Sequence, residues 1–341
     1  MNPLPRAPRS SDATRPSGTT PPAGTTPSAD PAPLSGPAPS AVPAAAAGTW
    51  TLGDLEVNRI GFGAMRLAQT GAALVPGAVP RERGQAVDVL RRAVELGVNH
   101  IDTAAFYFSP LRSANELINR ALSPYPDDLV IATKVGQPRD PSGAWLPHAR
   151  PEQLRGLVEE NLRQLGRDHL DLVNLRVVGD GPVAERFGAL AELRAAGLVR
   201  HLGLSNVRPH QLAEAQAVAP VVCVQNMYGL GVAPEQDAFV ELCREQGVAF
   251  VPFYAIAAAG RQYGAAAGGA AGGEDPLLVE VARAHGVSPA QVRIAWTLHR
   301  GPHVLAIPGT GDPAHLAANV AAGALRLSAA ELALLDALHR R

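Results

Sequence analysis

Few arrangements of a polypeptide can absorb a period that switches eight times. From residue 60 onward, short runs rich in valine, isoleucine and leucine alternate with segments whose apolar residues recur at helical spacing. Strands are expected at 60–63, 98–102, 128–134, 170–176, 200–204, 221–225, 248–253 and 304–307. Helices are expected at 84–97, 113–122, 151–166, 182–196, 209–218, 236–246, 288–299 and 313–322, with an extra one at 328–338. The best-marked strands are nearly continuous apolar runs, as in parallel sheets covered on both faces. Each connection runs to about a dozen residues or more, the length a crossover between parallel strands needs. Eight such units predict an α/β fold, a closed (β/α)8 TIM barrel. An N-terminal β-hairpin turning on Gly53 and Asp54 precedes it, and the extra helix follows. An open doubly wound sheet is the alternative; it lacks the Gly-x-Gly-x-x-Gly that should follow its first strand.

Composition sets the boundaries. Residues 1–47 are mostly proline, alanine, serine, threonine and glycine, with no aromatic residue. Such a segment cannot bury enough apolar surface to offset its ordering entropy, so a disordered tail is expected there, with the barrel at 48–341. It has no apolar run of the kind a secretory leader uses, and no later window approaches ~20 uninterrupted apolar residues. No membrane partner is expected. A formal net charge of -1 and a pI near 6.8 argue against a nucleic-acid partner. Cys223 and Cys243 are too few for a disulfide framework and have no metal-ligand spacing, which fits a cytoplasmic protein without a metal. A Gly/Ala-rich stretch at 257–273 reads as a mobile loop, either a flap over the site or low-complexity filler. Nothing in the sequence decides between a monomer and a small homo-oligomer.

In a barrel of this kind the C-terminal strand ends form the working face. Topology alone therefore selects Gly63, Asp102, Lys134, Arg176, Ser205, Gln225, Phe253 and Pro308. Lys134 stands out, because it is the only lysine in the chain and lies inside an apolar strand. A buried lysine tends to lose its proton unless a carboxylate holds it, and Asp102 ends the neighbouring strand. Tyr107 follows Asp102 closely. At ~4 Å and an effective dielectric of about 20, an ammonium interacts with a phenolate by roughly 4 kcal/mol, enough to lower the phenol pKa by two to three units. Asp102, Tyr107 and Lys134 thus predict a tuned general acid for a carbonyl oxygen. The structural alternatives are an N-cap pair for Asp102 with Thr103 and a packed loop aromatic for Tyr107.

These residues sit in five ordered motifs: Asp-Thr-Ala-x-x-Tyr at 102–107, Thr-Lys at 133–134, Gly-Leu-Ser-Asn at 203–206, Val-Gln-Asn-x-Tyr at 224–228 and Ile-Pro-Gly-Thr at 307–310. Together they resemble the aldo-keto reductase family over roughly residues 49–325. The wording at 173–176 and 223–228 looks closest to a bacterial branch of pyridoxal reductases. The resemblance implies NADP(H) bound across the barrel mouth and reduction of a small carbonyl substrate, with pyridoxal favoured. By position it makes Tyr107 the proton donor, tuned by Lys134 and Asp102. Ser205, Asn206 and Gln225 would bond the nicotinamide carboxamide, although a helix N-cap is the alternative for the first two. Phe253 would stack on the ring, unless it is a core phenylalanine, with Gly63 and Pro308 beside it. Gly309, Thr310, His315 and Asn319 fall where the family holds the adenosine phosphate, at a helix N-terminus. A broad reductase of small aldehydes or ketones, or a non-catalytic NADPH-binding redox sensor, are the alternative functions.

The chain departs from the family pattern at three places. Arg176 stands where most members have histidine, and it would depress the Tyr107 pKa further; the structural alternative is an ion pair with Asp180 or Glu185. Phe108 replaces a glycine and should put a bulky ring near the pocket. His315 replaces an arginine that often meets the NADPH 2′-phosphate, or is simply an exposed helix residue. The 137–147 loop, with Trp145, should overhang the site.

Overall fold

The structure, a computed structural model, describes residues 42–256 and 274–341. The hairpin comes first: β1 (Thr49–Leu52) and β2 (Leu55–Asn58) pair antiparallel, with Leu52 opposite Leu55, so Gly53 and Asp54 make the turn. Seven parallel strands follow, each bonded to the next in chain order. They are β3 (Phe62–Gly63), β4 (His100–Asp102), β5 (Val130–Val135), β6 (Leu170–Arg176), β7 (Val199–Ser205), β8 (Cys223–Gln225) and β9 (Ala249–Phe250). Residues 304–306 take the eighth place. Val304 bridges to Phe250, and Ala306 to Ile60 just ahead of β3. Leu305 N donates to Phe250 O at 2.9 Å and Gly61 N to Ala306 O at 2.8 Å, so the ring closes and the open-sheet alternative falls.

Helices follow the strands: α1 (Arg83–Glu95), α2 (Ala114–Leu122), α3 (Leu154–Leu165), α4 (Ala184–Ala195), α5 (Pro209–Gln216) and α6 (Asp237–Glu245). After β9 come α7 (Pro276–Ala284), α8 (Pro289–His299), α9 (Pro313–Ala321) and the extra α10 (Ala329–His339). Helix α7 is not among the helices expected from the sequence. Its start carries ordinary signals, since Pro276 opens the helix and Asp275 caps it by accepting from Leu277 N at 2.9 Å. The expected loop at 257–273 lies outside the described residues, as does the tail up to residue 41.

Order begins earlier than residue 47. Ala44–Ala47 form a 3-10 turn with Ala44 and Ala47 buried, and Ala44 N donates to Leu96 O at 2.8 Å. The physical reason is small size: Ala47 occupies the space that a side chain at Gly323 would need. Among the described residues no single helix is long and apolar enough to cross a membrane.

Alternation along each strand divides the core in two. On β5, Ile131 and Val135 face the helices, whereas Val130 and Ala132 join Leu172, Cys223, Ala249 and Leu305 in the lumen. Leu52 and Val57 of the hairpin close the lumen from below. His100 also lies buried, and neither ring nitrogen has a hydrogen-bond partner. Its ring fills the space where a side chain at Gly61 would stand, 2.2 Å from an added Cβ. Burial pushes the imidazole pKa down to about 4, against a weak pull from the Asn58 backbone.

Candidate active site

At the other end of the lumen the strands stop around one cavity of about 840 Å³. All eight strand-end residues selected from topology line it, from Gly63 on β3 to Pro308 after the eighth strand. At the cavity, backbone meets backbone across the seam between the first and eighth strands. A Cβ on Gly63 would lie 2.5 Å from Ile307 O, and one on Gly309 would lie 2.4 Å from Gly63 O, so only glycine allows this closure.

Asp102 and Lys134 meet at the bottom of the cavity. The Lys134 Nζ donates to Asp102 Oδ1 at 2.6 Å, to Oδ2 at 2.7 Å and to Thr103 O at 3.0 Å. Gln225 Nε2 donates to Asp102 Oδ2 at 2.8 Å, which fixes the amide's orientation and leaves Gln225 Oε1 buried without a partner. The N-cap alternative for Asp102 fails, because α2 starts at residue 114 and is capped by Ser113. Behind the pair, four buried polar side chains tie the strand ends to the helices: Thr103 to Asn115 (2.7 Å), Asn115 to Asn161 (2.9 Å) and Thr133 to Asn161 (2.6 Å).

Tyr107 is buried above the ammonium, with Lys134 Nζ 4.9 Å from its ring centroid. Burial pushes the phenol pKa up; Lys134 pulls it down, Asp102 adds to the rise, and Arg176 opposes it more weakly. The net direction is upward. Coulomb attraction alone predicts a fall; desolvation, which is larger here, reverses it. Burial likewise acts to strip Lys134 of its proton, but the charges of Asp102 and Tyr107 overcome it and hold the pKa above the ordinary lysine value.

Arg176 donates to Gln137 Oε1 at 2.6 Å and lies with its guanidinium carbon 4.5 Å from the Trp145 ring centroid. Asp180, one of the two suggested partners, pairs with Arg208 at 3.0 Å and His210 at 3.2 Å. Trp145 lines the cavity, as its loop position suggested, and meets Phe106 at 5.4 Å between ring centroids. Phe108 does not line it. Its ring packs under Arg139 instead, and the wall residue is Phe106.

On the opposite side Ser205, Asn206, Gln225, Phe253, Pro308 and Gly309 line the cavity. Helix α5 starts at residue 209, so Ser205 and Asn206 do not cap it. Asn206 holds a left-handed backbone (φ 62), with its N–H bonded to Gln225 O at 2.9 Å and its side-chain amide to Val177 O at 2.8 Å. Asparagine tolerates that conformation better than most residues. Thr310, His315 and Asn319 stand apart from the cavity lining. The Thr310 hydroxyl accepts from Asp312 N at 3.0 Å, His315 is exposed and Asn319 is buried. The N-terminus of α9 is also already satisfied, because Asp312 accepts from Ala314 N at 2.7 Å and His315 N at 3.4 Å. Sequence reasoning missed Met65, Arg66, Leu74, Val75, Met227 and Glu274, which come from a 3-10 turn at Ala64–Arg66 and from loops, all too short to carry a readable period.

Comparison with known proteins agrees with this geometry. The chain is 44% identical over 306 residues to the pyridoxine 4-dehydrogenase of Escherichia coli, covering 86% of this chain and 99% of that one. A Schizosaccharomyces pombe oxidoreductase is 38% identical over 291 residues, covering 85% and 89%. Among solved structures, an aldo/keto reductase from Klebsiella pneumoniae in complex with NADP and acetate superposes with a TM-score of 0.66 at 27% identity, covering 83% of this chain and 92% of that one. The sequence model of the aldo/keto reductase family matches residues 59–340. Motifs, closed barrel and buried Lys134–Asp102 pair thus agree with that match, and the chain belongs to the aldo/keto reductase family.

Proposed function

We propose that this chain is an NADPH-dependent reductase of aldehydes, with pyridoxal as the substrate. The observation that carries the reading is the ammonium of Lys134, locked by Asp102 beneath the Tyr107 phenol on the floor of a cavity. The donor set suits a nicotinamide cofactor. Gln225 Oε1 is a buried acceptor in need of an N–H, and the amide of a carboxamide supplies one. Ser205, Asn206 and Gln225 would hold the carboxamide, Phe253 would lie against the ring, and the Gly63–Gly309 seam leaves room for close approach. When bound, the cofactor supplies the hydride.

The chain's own part is proton transfer and orientation. Because its pKa is raised, Tyr107 stays protonated through neutral pH and can hand the hydroxyl proton to the carbonyl oxygen as negative charge develops there. The phenolate that remains faces the Lys134 ammonium, whose charge needs no reorganisation to stabilise it. Asp102 keeps that ammonium charged and aimed. Arg176, stacked on Trp145, adds a fixed positive charge to an aromatic wall. Such a wall suits a flat aromatic aldehyde that bears an oxyanion beside its carbonyl, as pyridoxal does. The relative named pyridoxine 4-dehydrogenase supports the same substrate.

The test is loss of NADPH absorbance with pyridoxal and with methylglyoxal, in the unaltered protein and in Tyr107→Phe. Turnover that falls by roughly 10²–10⁴ in the variant, with NADPH affinity unchanged, is the expected result. Tight NADPH binding with no turnover of either aldehyde would overturn the reading in favour of a redox sensor.

A further inference from the structure

Arg139 belongs to no motif, yet its guanidinium joins three separate segments of the barrel mouth. Its Nε donates to Gly143 O at 2.9 Å, its Nη1 to Phe106 O at 3.1 Å and Phe108 O at 3.3 Å, and its Nη2 to Val75 O at 3.2 Å. The side chain is 8% exposed. Among the described residues no carboxylate pairs with it within 4.0 Å, and burial lowers its pKa while Asp140 resists from a distance. A buried arginine whose hydrogen bonds all go to backbone carbonyls, with the Phe108 and Trp145 rings 4.6 and 5.8 Å from its guanidinium carbon, holds geometry, because each donor of the rigid fork points at one loop. The loops leave no slack around it. Gly143 has φ +90, and an added Cβ there would stand 2.6 Å from Arg139 Nη2 and 3.2 Å from Pro76 Cα.

The three segments held in this way line the cavity with Leu74 and Val75, then Phe106, then Trp145. Tyr107, between the two carbonyls taken from the second segment, has its own fastenings. Its N–H donates to Ala104 O and its carbonyl accepts from Ala114 N, both at 2.9 Å. Loosening Arg139 therefore frees the wall more than the proton donor.

We infer that Arg139 is a positioning residue that assembles the aromatic substrate wall and thereby sets preference for flat aromatic aldehydes over short ones. The inference rests on the aldehyde-reductase reading above. The experiment is steady-state kinetics of Arg139→Lys, which keeps the charge but cannot reach four carbonyls. Substrates are pyridoxal, 4-nitrobenzaldehyde and methylglyoxal, with NADPH affinity followed by fluorescence. The expected result is a KM for the aromatic aldehydes raised about tenfold or more. The kcat should change little, the methylglyoxal loss should stay within about threefold, and NADPH affinity should be retained. Equal loss on aromatic and short aldehydes, or an unchanged aromatic KM, would overturn it. Should Arg139→Lys not fold, Trp145→Ala removes part of the wall at a partly exposed side chain and must give the same aromatic KM rise; an unchanged KM there overturns the inference equally. Failure of the parent reading looks different, since the unaltered enzyme would then turn over none of the three aldehydes.

Discussion

Strand β4 carries two buried titratable side chains two residues apart, His100 and Asp102, both directed into the lumen. They live under opposite rules. At the floor, neither ring nitrogen of His100 has a hydrogen-bond partner, so burial outweighs the weak pull of the Asn58 backbone and keeps it neutral. At the mouth, at the same depth, Asp102 takes three N–H donors, two from Lys134 and one from Gln225, and helps hold the Lys134 pKa above the ordinary lysine value. Burial is the same in both places; the partners differ. The lumen thus turns from a packing space into a reaction chamber along a single short strand.

The sharpest way to break this contrast is to remove the charge at the mouth. Lys134→Met should lower kcat for aldehyde reduction by roughly 10³, because the buried phenol loses the one neighbour that most strongly opposes its raised pKa. Single-turnover kinetics with saturating NADPH checks it. Asp102→Asn should cost about 3 kcal/mol or more of stability, since it leaves a buried ammonium without a counter-charge; denaturant unfolding at neutral pH gives the number. If that variant were as stable as the parent, the mouth would be no different from the floor.

The floor makes a pH prediction. The folded pKa of His100, about 4, lies below its ordinary 6.5, so the unfolded chain binds the proton more readily. This contribution is at its maximum above pH 6.5 and is lost as pH falls toward about 4, by about 3 kcal/mol in all. His100→Leu should flatten that slope while leaving stability at pH 7 equal or slightly higher, as thermal unfolding across pH 4–7 would report. At the mouth the direction reverses. Tyr107 acts as an acid only while protonated, so reduction should hold through neutral pH and decline as pH rises through the phenol's raised pKa, with alcohol oxidation rising instead. The smallest effect belongs to exposed charge: Arg92→Ala removes the Arg92–Glu95 pair on α1 and should change stability by less than about 0.5 kcal/mol.

Much of this was readable before any coordinates. Strand ends are fixed by where an apolar run stops, so the eight mouth residues could be named from period alone, and all eight line the cavity. A single lysine in an arginine-only chain marked the charge to look for. What escaped has a common cause. Arg139, Leu74 and Val75 act from irregular backbone, where no spacing announces a contact between residues 64 positions apart. Phe108 turned from the pocket because Arg139 offered its ring a cation. The direction of the Tyr107 shift depends on desolvation, a property of the surroundings rather than of neighbouring residues. His315, which departs from the family's arginine, sits exposed at a helix start where Asp312 accepts from two backbone N–H groups.

The seam where residues 304–306 meet the start of β3 has a consequence for biosynthesis. Arg59 fastens it from one side, donating to Val304 O at 3.2 Å and Gly301 O at 2.6 Å across more than 240 positions. A nascent chain cannot make these bonds until residues 301–306 have left the ribosome. Until then the curled sheet carries two raw edges, at β3 and at β9, open to pairing with other chains. Premature termination ahead of residue 301 should therefore yield aggregating fragments instead of smaller working barrels.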